Sequence, residues 1–253
     1  MSDFGYYTGG ASRVDNSGSV TVTSGATANT FGGWTQLVAS TTSESSLVII
    51  GFRSSDNVTS GLLSIGIGAS GSETVIIPNI FVSGSGYSQE AFFNLPITIP
   101  KGSRLSAKTS TTTASIGCVV QVITYARSFT SEHACETWTD YGTNLANSSG
   151  TTIAVGTGWT QVVASTANEI RDAVLMLGAD GASQAATSFD LAIGAAGSET
   201  IILSGLQGVQ RVQCPTLNPY SLNVPFNIPK GTRIAARFTA GAANLFFSLL
   251  GGN

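Results

Sequence analysis

Asn94-Leu95-Pro96-Ile97-Thr98-Ile99-Pro100-Lys101-Gly102-Ser103-Arg104-Leu105 returns 129 residues later as Asn223-Val224-Pro225-Phe226-Asn227-Ile228-Pro229-Lys230-Gly231-Thr232-Arg233-Ile234. In each block an aliphatic run stops at a proline and Pro-Lys-Gly follows. Pro100 and Pro229 pre-set φ for the first corner of a turn. Gly102 and Gly231 supply the left-handed residue that launches the next strand, at Arg104 or Arg233. The prolines donate no hydrogen bond to a sheet, so each belongs at a strand end or an edge.

Two more blocks recur in the same order. Gly33-Trp34-Thr35-Gln36 returns as Gly158-Trp159-Thr160-Gln161, and Ile67-Gly68-Ala69-Ser70-Gly71-Ser72-Glu73-Thr74 as Ile193-Gly194-Ala195-Ala196-Gly197-Ser198-Glu199-Thr200. The offset grows from 125 at Trp34 to 126 at Glu73 and 129 at Arg104, as expected where only loops gain or lose residues. The pattern predicts a duplicated domain: repeat 1 over 18–127 and repeat 2 over 142–253, each large enough for its own core. Residues 1–17 read as an N-terminal arm and residues 128–141 as a linker.

Strand signals dominate both copies. Leu63, Ile65 and Ile67 alternate with Ser64 and Gly66, and Phe189, Leu191 and Ile193 alternate with Asp190 and Ala192, the period of two that turns one face to a core. Val20-Thr21-Val22-Thr23, Leu47-Val48-Ile49-Ile50, Val75-Ile76-Ile77 and Val119-Val120-Gln121-Val122-Ile123 are further β-branched runs. Turn residues separate them about every ten positions, and no segment carries a helical apolar stripe. About eight strands per copy predict an all-β chain of two tandem jelly-roll-like, Greek-key β-sandwiches.

Composition narrows the function. Charged residues make up 10% of the 253, against about 25% in an average soluble domain. A net charge of −3 gives no electrostatic reason to expect nucleic acid or an anionic membrane as partner. The 42% of hydrophobic residues argue for a folded chain rather than a disordered Ser/Gly-rich one. The start, Met1 to Gly10, lacks the basic and apolar segments of a signal peptide, and no run approaches the roughly 20 apolar residues of a membrane span. Synthesis and retention in a cytoplasm are expected. Cys118, Cys135 and Cys214 are odd in number and do not duplicate with the repeats, so they read as reduced thiols.

Catalytic constellations are scarce, and neither a metal nor a cofactor is expected. Gly66-Ile67-Gly68-Ala69-Ser70-Gly71 spells the dinucleotide-binding fingerprint, but the residues after it read as a strand where a helix N-terminus is required, and Ala192 replaces the first glycine in the second copy. His133, the lone histidine, falls in the linker. Glu73 and Glu199 are the one acid matched between copies, and each is expected to pair with Arg104 or Arg233 of its own repeat or to face solvent from a turn. Trp34 and Trp159 fit a core or rim plug, with an exposed sugar-stacking platform as the alternative. Phe4, Tyr6 and Tyr7 in the arm, and Phe129 and Trp138 in the linker, are candidate assembly contacts, because rings dominate interface energetics. Packing on their own domains is the other reading.

Gly-Trp-Thr-Gln, Ile-Gly-x-x-Gly-Ser-Glu-Thr and Ile-Pro-Lys-Gly-[Ser/Thr]-Arg together resemble repeats in virion structural proteins of tailed bacteriophages. The resemblance covers residues 18–126 and 142–253 and rests on turn and strand signatures with no reaction attached. It implies a non-enzymatic part of a particle, assembled in the host cytoplasm: a capsid decoration (cement) protein, a head spike or a tail-associated module. It implies the major capsid protein or other virion proteins as partners and a homo-oligomer, such as a trimer on a local axis. A receptor- or carbohydrate-binding tail module is the main alternative.

Overall fold

The computed structural model describes residues 12–54, 60–83, 90–126, 135–156, 158–179, 185–210, 220–240 and 245–253. Among these residues it is all-β, built of antiparallel sheets, with a turn of 3₁₀ helix at Leu145–Asn147.

The first repeat forms two sheets. One holds β1 (Ser12–Asn16), β2 (Val20–Thr23), β4 (Leu47–Ser54), β7 (Glu90–Leu95) and β9 (Gly117–Ala126), in the order β1-β9-β4-β7, with β2 also on β9. The other holds β3 (Thr35–Val38), β5 (Ser60–Ile67), β6 (Thr74–Ser83) and β8 (Leu105–Thr111), in the order β3-β8-β5-β6.

The second repeat does the same. Its first sheet contains β10 (Trp138–Tyr141), β11 (Thr143–Asn144), β12 (Ser149–Ile153), β14 (Ile170–Ala179), β17 (Tyr220–Ile228) and β19 (Leu245–Gly252), in the order β11-β12-β19-β14-β17, with β10 on β19. Its second, β13 (Thr160–Val163), β15 (Ala185–Ile193), β16 (Thr200–Gln210) and β18 (Ile234–Ala240), runs β13-β18-β15-β16.

The expected boundaries differ from the structure in two places. The end of the arm is β1, paired with β9, and the end of the linker is β10, paired with β19. These short strands occupy corresponding positions in the two repeats although their sequences do not match. A main-chain ladder asks only for extended backbone, so the positions are equivalent without a shared motif.

Alternation in the strands builds the cores. Val48, Ile50, Val120 and Val122 from the first sheet meet Leu63, Ile65 and Ala107 from the second, all fully buried. In repeat 2, Leu175, Phe247 and Leu249 meet Phe189, Leu191 and Phe238. Phe189 packs at 4.9 Å from Phe247 and 5.3 Å from Phe238, ring centre to ring centre, within the range favoured by tilted rings.

The core of repeat 1 does not stop at its own sheets. Val174, Met176 and Leu250 of the β14/β19 sheet, with Trp138 and Cys135, join it. The outer face of β5/β6 therefore packs on the outer face of the β14/β19 sheet. The rings of Phe81 and Phe246 meet edge to face at 6.1 Å, Asn79 Nδ2 donates to Asp140 Oδ2 at 3.0 Å, and the Ser110 and Ser148 hydroxyls lie 2.6 Å apart. This explains the burial of Leu62 as well as Leu63 in β5, whose seven positions from Ser60 to Gly66 are all buried.

Candidate functional site

The duplicated motifs converge on the end of each sandwich where β5 turns into β6 and β15 into β16. Gly68 and Gly71 (φ +121° and +81°), like Gly194 and Gly197 (+109° and +84°), supply the left-handed corners of this hairpin. No helix follows, so the glycine pattern serves a tight turn and not a phosphate.

Glu73 closes the hairpin. Its Oε2 accepts from the Gly71 N–H at 2.9 Å, and its Oε1 accepts from Arg104 Nη1 at 2.7 Å. The same guanidinium donates from Nη1 to the Gly68 carbonyl at 3.3 Å and from Nε to Gln36 Oε1 at 2.9 Å, tying β3, β8 and the hairpin together. Repeat 2 reproduces the brace: Arg233 bonds Glu199 at 3.1 Å, Gly194 at 3.0 Å and Gln161 at 3.0 Å, while Glu199 accepts from Gly197 at 3.0 Å.

Hydrogen bonding to Arg104 holds the Glu73 carboxyl below the usual carboxylate value. Burial pushes Glu199 up, but hydrogen bonds from the backbone and Arg233 outweigh it and the net shift is downward. Both carboxylates are committed to cations and amides, which suits a brace and leaves no proton donor near neutral pH.

The Pro-Lys-Gly turns rest on two threonines that sequence reading missed. Thr41 Oγ1 donates to the Pro100 carbonyl at 2.8 Å and accepts from the Ser103 N–H at 2.9 Å. Thr166 does the same with Pro229 and Thr232, at 2.9 and 3.1 Å. Gly102 and Gly231, at φ +81° and +83°, bond the carbonyls of Thr41 and Thr166. The one signal in the sequence is a threonine 59 residues before the first proline and 63 before the second, a separation over which no local rule acts.

Trp34 and Trp159 are half-buried on the outer faces of the β5 and β15 sheets. Trp34 lies against Gly66, where a Cβ would come within 2.8 Å of the indole. Lys108 Nζ sits 4.7 Å from the Trp34 ring and 4.9 Å from Phe31. In repeat 2, Arg237 stands 4.4 Å from the Trp159 ring and grips Asp190 through Nε at 2.9 Å and Nη2 at 2.8 Å. Burial raises the Asp190 carboxyl, but Gly205, Arg237 and Ser204 donate to it and bring it below its ordinary value. Each ring therefore faces a cation of its own repeat.

Val75, paired with Gly66, and Ile201, paired with Ala192, are 42% and 44% exposed. They are equivalent aliphatic side chains left in solvent in both copies, and Val75 lies across the ladder from Gly66, against which Trp34 packs.

A hollow of about 160 Å³ on the outer face of the first sheet is lined by Ser19, Thr21, Gly51, Arg53, Phe92 and Gln121. Ligand pockets usually exceed about 300 Å³. This one is large enough for a single side chain, and Arg53 is its sole charged lining group.

Among the described residues no group of three or more His, Cys, Asp or Glu could hold a metal ion, and no helix is long and apolar enough to cross a membrane. Phe4, Tyr6, Tyr7, Phe129, His133 and Cys214 lie outside the described residues. Trp138, 5% exposed, is buried between the repeats, and the Cys135 thiol is buried near it. No family model matches the chain, and no curated protein matches it either.

Proposed function

We propose that the chain is a non-enzymatic structural protein of a bacteriophage particle, two jelly rolls in tandem that arose by duplication and decorate or stabilise the capsid surface. The strand orders β2-β9-β4-β7 with β3-β8-β5-β6, and β12-β19-β14-β17 with β13-β18-β15-β16, support the jelly-roll reading in each half. The motif resemblance supports the particle.

One observation carries the functional reading: Val75 and Ile201 are exposed at equivalent places in the two copies. An aliphatic side chain kept in solvent twice suits a chain that makes the same contact twice, and a lattice of identical capsid subunits offers such repeated sites. The braces support it too, because the matched Glu and Arg are satisfied within each hairpin. The proposed partners are the major capsid protein or other virion proteins, in a homo-oligomer that a local symmetry axis would favour.

The carbohydrate-binding alternative asks for an indole face open to a sugar. Trp34 and Trp159 each hold a cation of their own repeat, which favours a structural role for both rings. The test is to locate the protein in a cryo-EM reconstruction of the intact particle, with particles carrying Val75→Asp and Ile201→Asp beside it. Density on the capsid shell, weakened by each substitution and abolished by both, is expected. Absence from the particle, or full occupancy with both substitutions, would overturn the proposal.

A further inference from the structure

The ladders align the two repeats residue by residue. Core-facing Ile50↔Val122 corresponds to Leu175↔Leu249, so the next outward pair, Gly51↔Gln121, stands where Met176↔Ser248 stands. On the far side of the same strands, Gly51↔Phe92 corresponds to Met176↔Ser221. In the other sheets Leu63↔Ile80 corresponds to Phe189↔Leu206, which places Ser188↔Gln207 at the position of Leu62↔Phe81. Asn79, at φ +42° and bonded through its N–H to Ser64 Oγ, corresponds to Gly205, at φ +66° and bonded to Asp190 Oδ1. Asp140↔Leu250 corresponds to Asn16↔Ile123.

These equivalences have one pattern. The contact between the repeats joins the β5/β6 face of repeat 1 to the β14/β19 face of repeat 2. The chain therefore has two further faces of the same kinds: the β15/β16 face of repeat 2 and the β4/β9 face of repeat 1. A third sandwich placed on repeat 2 as repeat 2 sits on repeat 1 would meet the first of these with its own copy of the second. Such a head-to-tail contact grows without limit or closes into a ring.

At most positions that make the internal contact, the two outer faces carry something else. By register Met176 corresponds to Gly51, Leu62 to Ser188, Phe81 to Gln207, Phe246 to Val119, Asn79 to Gly205 and Asp140 to Asn16. Gly178, which pairs with Phe246, gives way to Arg53, a charge that docking would have to desolvate. Val174 and Leu250 keep aliphatic counterparts, Ile49 and Ile123, and Phe246 has a smaller apolar one, Val119.

We infer that these two outer faces are the halves of one interface, disarmed by substitution, and that the partner they fit geometrically is a second copy of this chain. A solenoid needs polar terminal repeats for the same reason: an apolar end face would recruit another unit. The hollow at Gly51 is the space that Met176 fills in repeat 2. Ile201 shares the β15/β16 face but, like Val75 on the β5/β6 face, is not among the positions of the internal contact, and the inference does not depend on the particle.

Two full-length variants test it. One rearms the first face by exchanging a pair, Gly51→Met with Phe92→Ser, which also removes the ring a side chain at 51 would meet at 3.1 Å. The other rearms the second face with Ser188→Leu and Gln207→Phe. Sedimentation velocity of each alone is expected to give the species the parent protein forms, and a one-to-one mixture to give a new species containing one of each. All four substitutions in one chain should give open stacks visible by negative-stain electron microscopy.

A mixture that sediments as two independent components overturns the inference. So does either variant associating with itself as strongly as with the other, which would mean general stickiness. Circular dichroism and melting check the fold of each variant. If either fails to fold, Asn16→Asp and Gly205→Asn, placed in separate chains, carry the same test: chemical cross-linking must rise at least severalfold in the mixture over either chain alone, and an unchanged yield refutes the shared interface.

Discussion

The Phe81 N–H donates to the Met176 sulfur, 3.2 Å away, from one repeat to the other. A thioether is a weak acceptor, so the bond adds little by itself. It places an adaptable side chain against the backbone of a neighbouring sheet, at a fully buried position. The core of repeat 1 continues through this point onto the outer face of the β14/β19 sheet, so the two repeats are expected to unfold together.

Met176→Ala is accordingly expected to cost about 2–5 kcal/mol, the range for deleting a buried large side chain. Met176→Asp should do more: it should split a single denaturant transition into two. Urea titrations followed by circular dichroism and by tryptophan emission check this, and coincident curves for the Asp variant would contradict it.

The threonine braces are testable one repeat at a time. Thr41→Val keeps the shape but strands the Pro100 carbonyl and the Ser103 N–H, and Thr166→Val does the same at Pro229 and Thr232. Each should lower stability by about 1–3 kcal/mol, the cost of an unmet buried polar group. Their double variant should be additive within error because the sites belong to separate turns.

Acid should weaken the fold in a defined window. Glu73, Glu199 and Asp190 are all held below their ordinary values of 4.5, 4.5 and 3.8. A carboxylate with a depressed folded value binds fewer protons folded than unfolded. Its contribution is therefore complete above about pH 4.5 and drains away as the pH falls through the folded values. Melting temperature against pH should drop below that point, and Glu73→Gln with Glu199→Gln should flatten the drop while lowering the plateau.

Cys135 responds at the opposite end of the scale. Burial, then the charge of Asp172 and its hydrogen bond with the thiol, push the thiol up to about 12 from an ordinary 9.0. A raised thiol favours the folded state below pH 9, and that contribution is lost as the pH climbs from 9 towards 12. In a variant with Cys118 and Cys214 changed to Ser, maleimide should leave Cys135 unmodified at pH 8 in the native protein and label it rapidly in denaturant. Fast native labelling would contradict the assignment.

Gly66 and Ala192 make a reciprocal pair. Gly66→Ala drives a methyl group against the Trp34 ring and should cost about 1–3 kcal/mol, with a shift in indole emission. Ala192→Gly should cost only about 0.5–1 kcal/mol, the penalty for glycine within a strand.

Much of the architecture could be read from the chain. Period-two runs such as Leu63-Ser64-Ile65 declare a strand with one buried face, and Gly68, Gly71 and Gly102 declare corners, because these signals act over a few residues. The Glu73–Arg104 contact was one of two open readings, since a matched acid and base suggest a pair without stating a distance. Asp190 with Arg237 is not legible from matched motifs, because copy 1 holds Ser64 and Lys108 at those positions. Trp138 was a candidate for contact with other subunits, and the structure puts it inside the chain.

Local physics in the sequence determined that this chain is made of short antiparallel strands, that it repeats, and where its hairpins turn, since backbone sterics and alternation are properties of neighbouring residues. Which face of each sheet meets another sheet was decided only by the tertiary structure. Leu62 and Ser188, or Met176 and Gly51, stand at equivalent strand positions and say nothing locally about what covers them. Their difference acquires meaning only when two sandwiches are brought together and one apolar surface is removed from water by another.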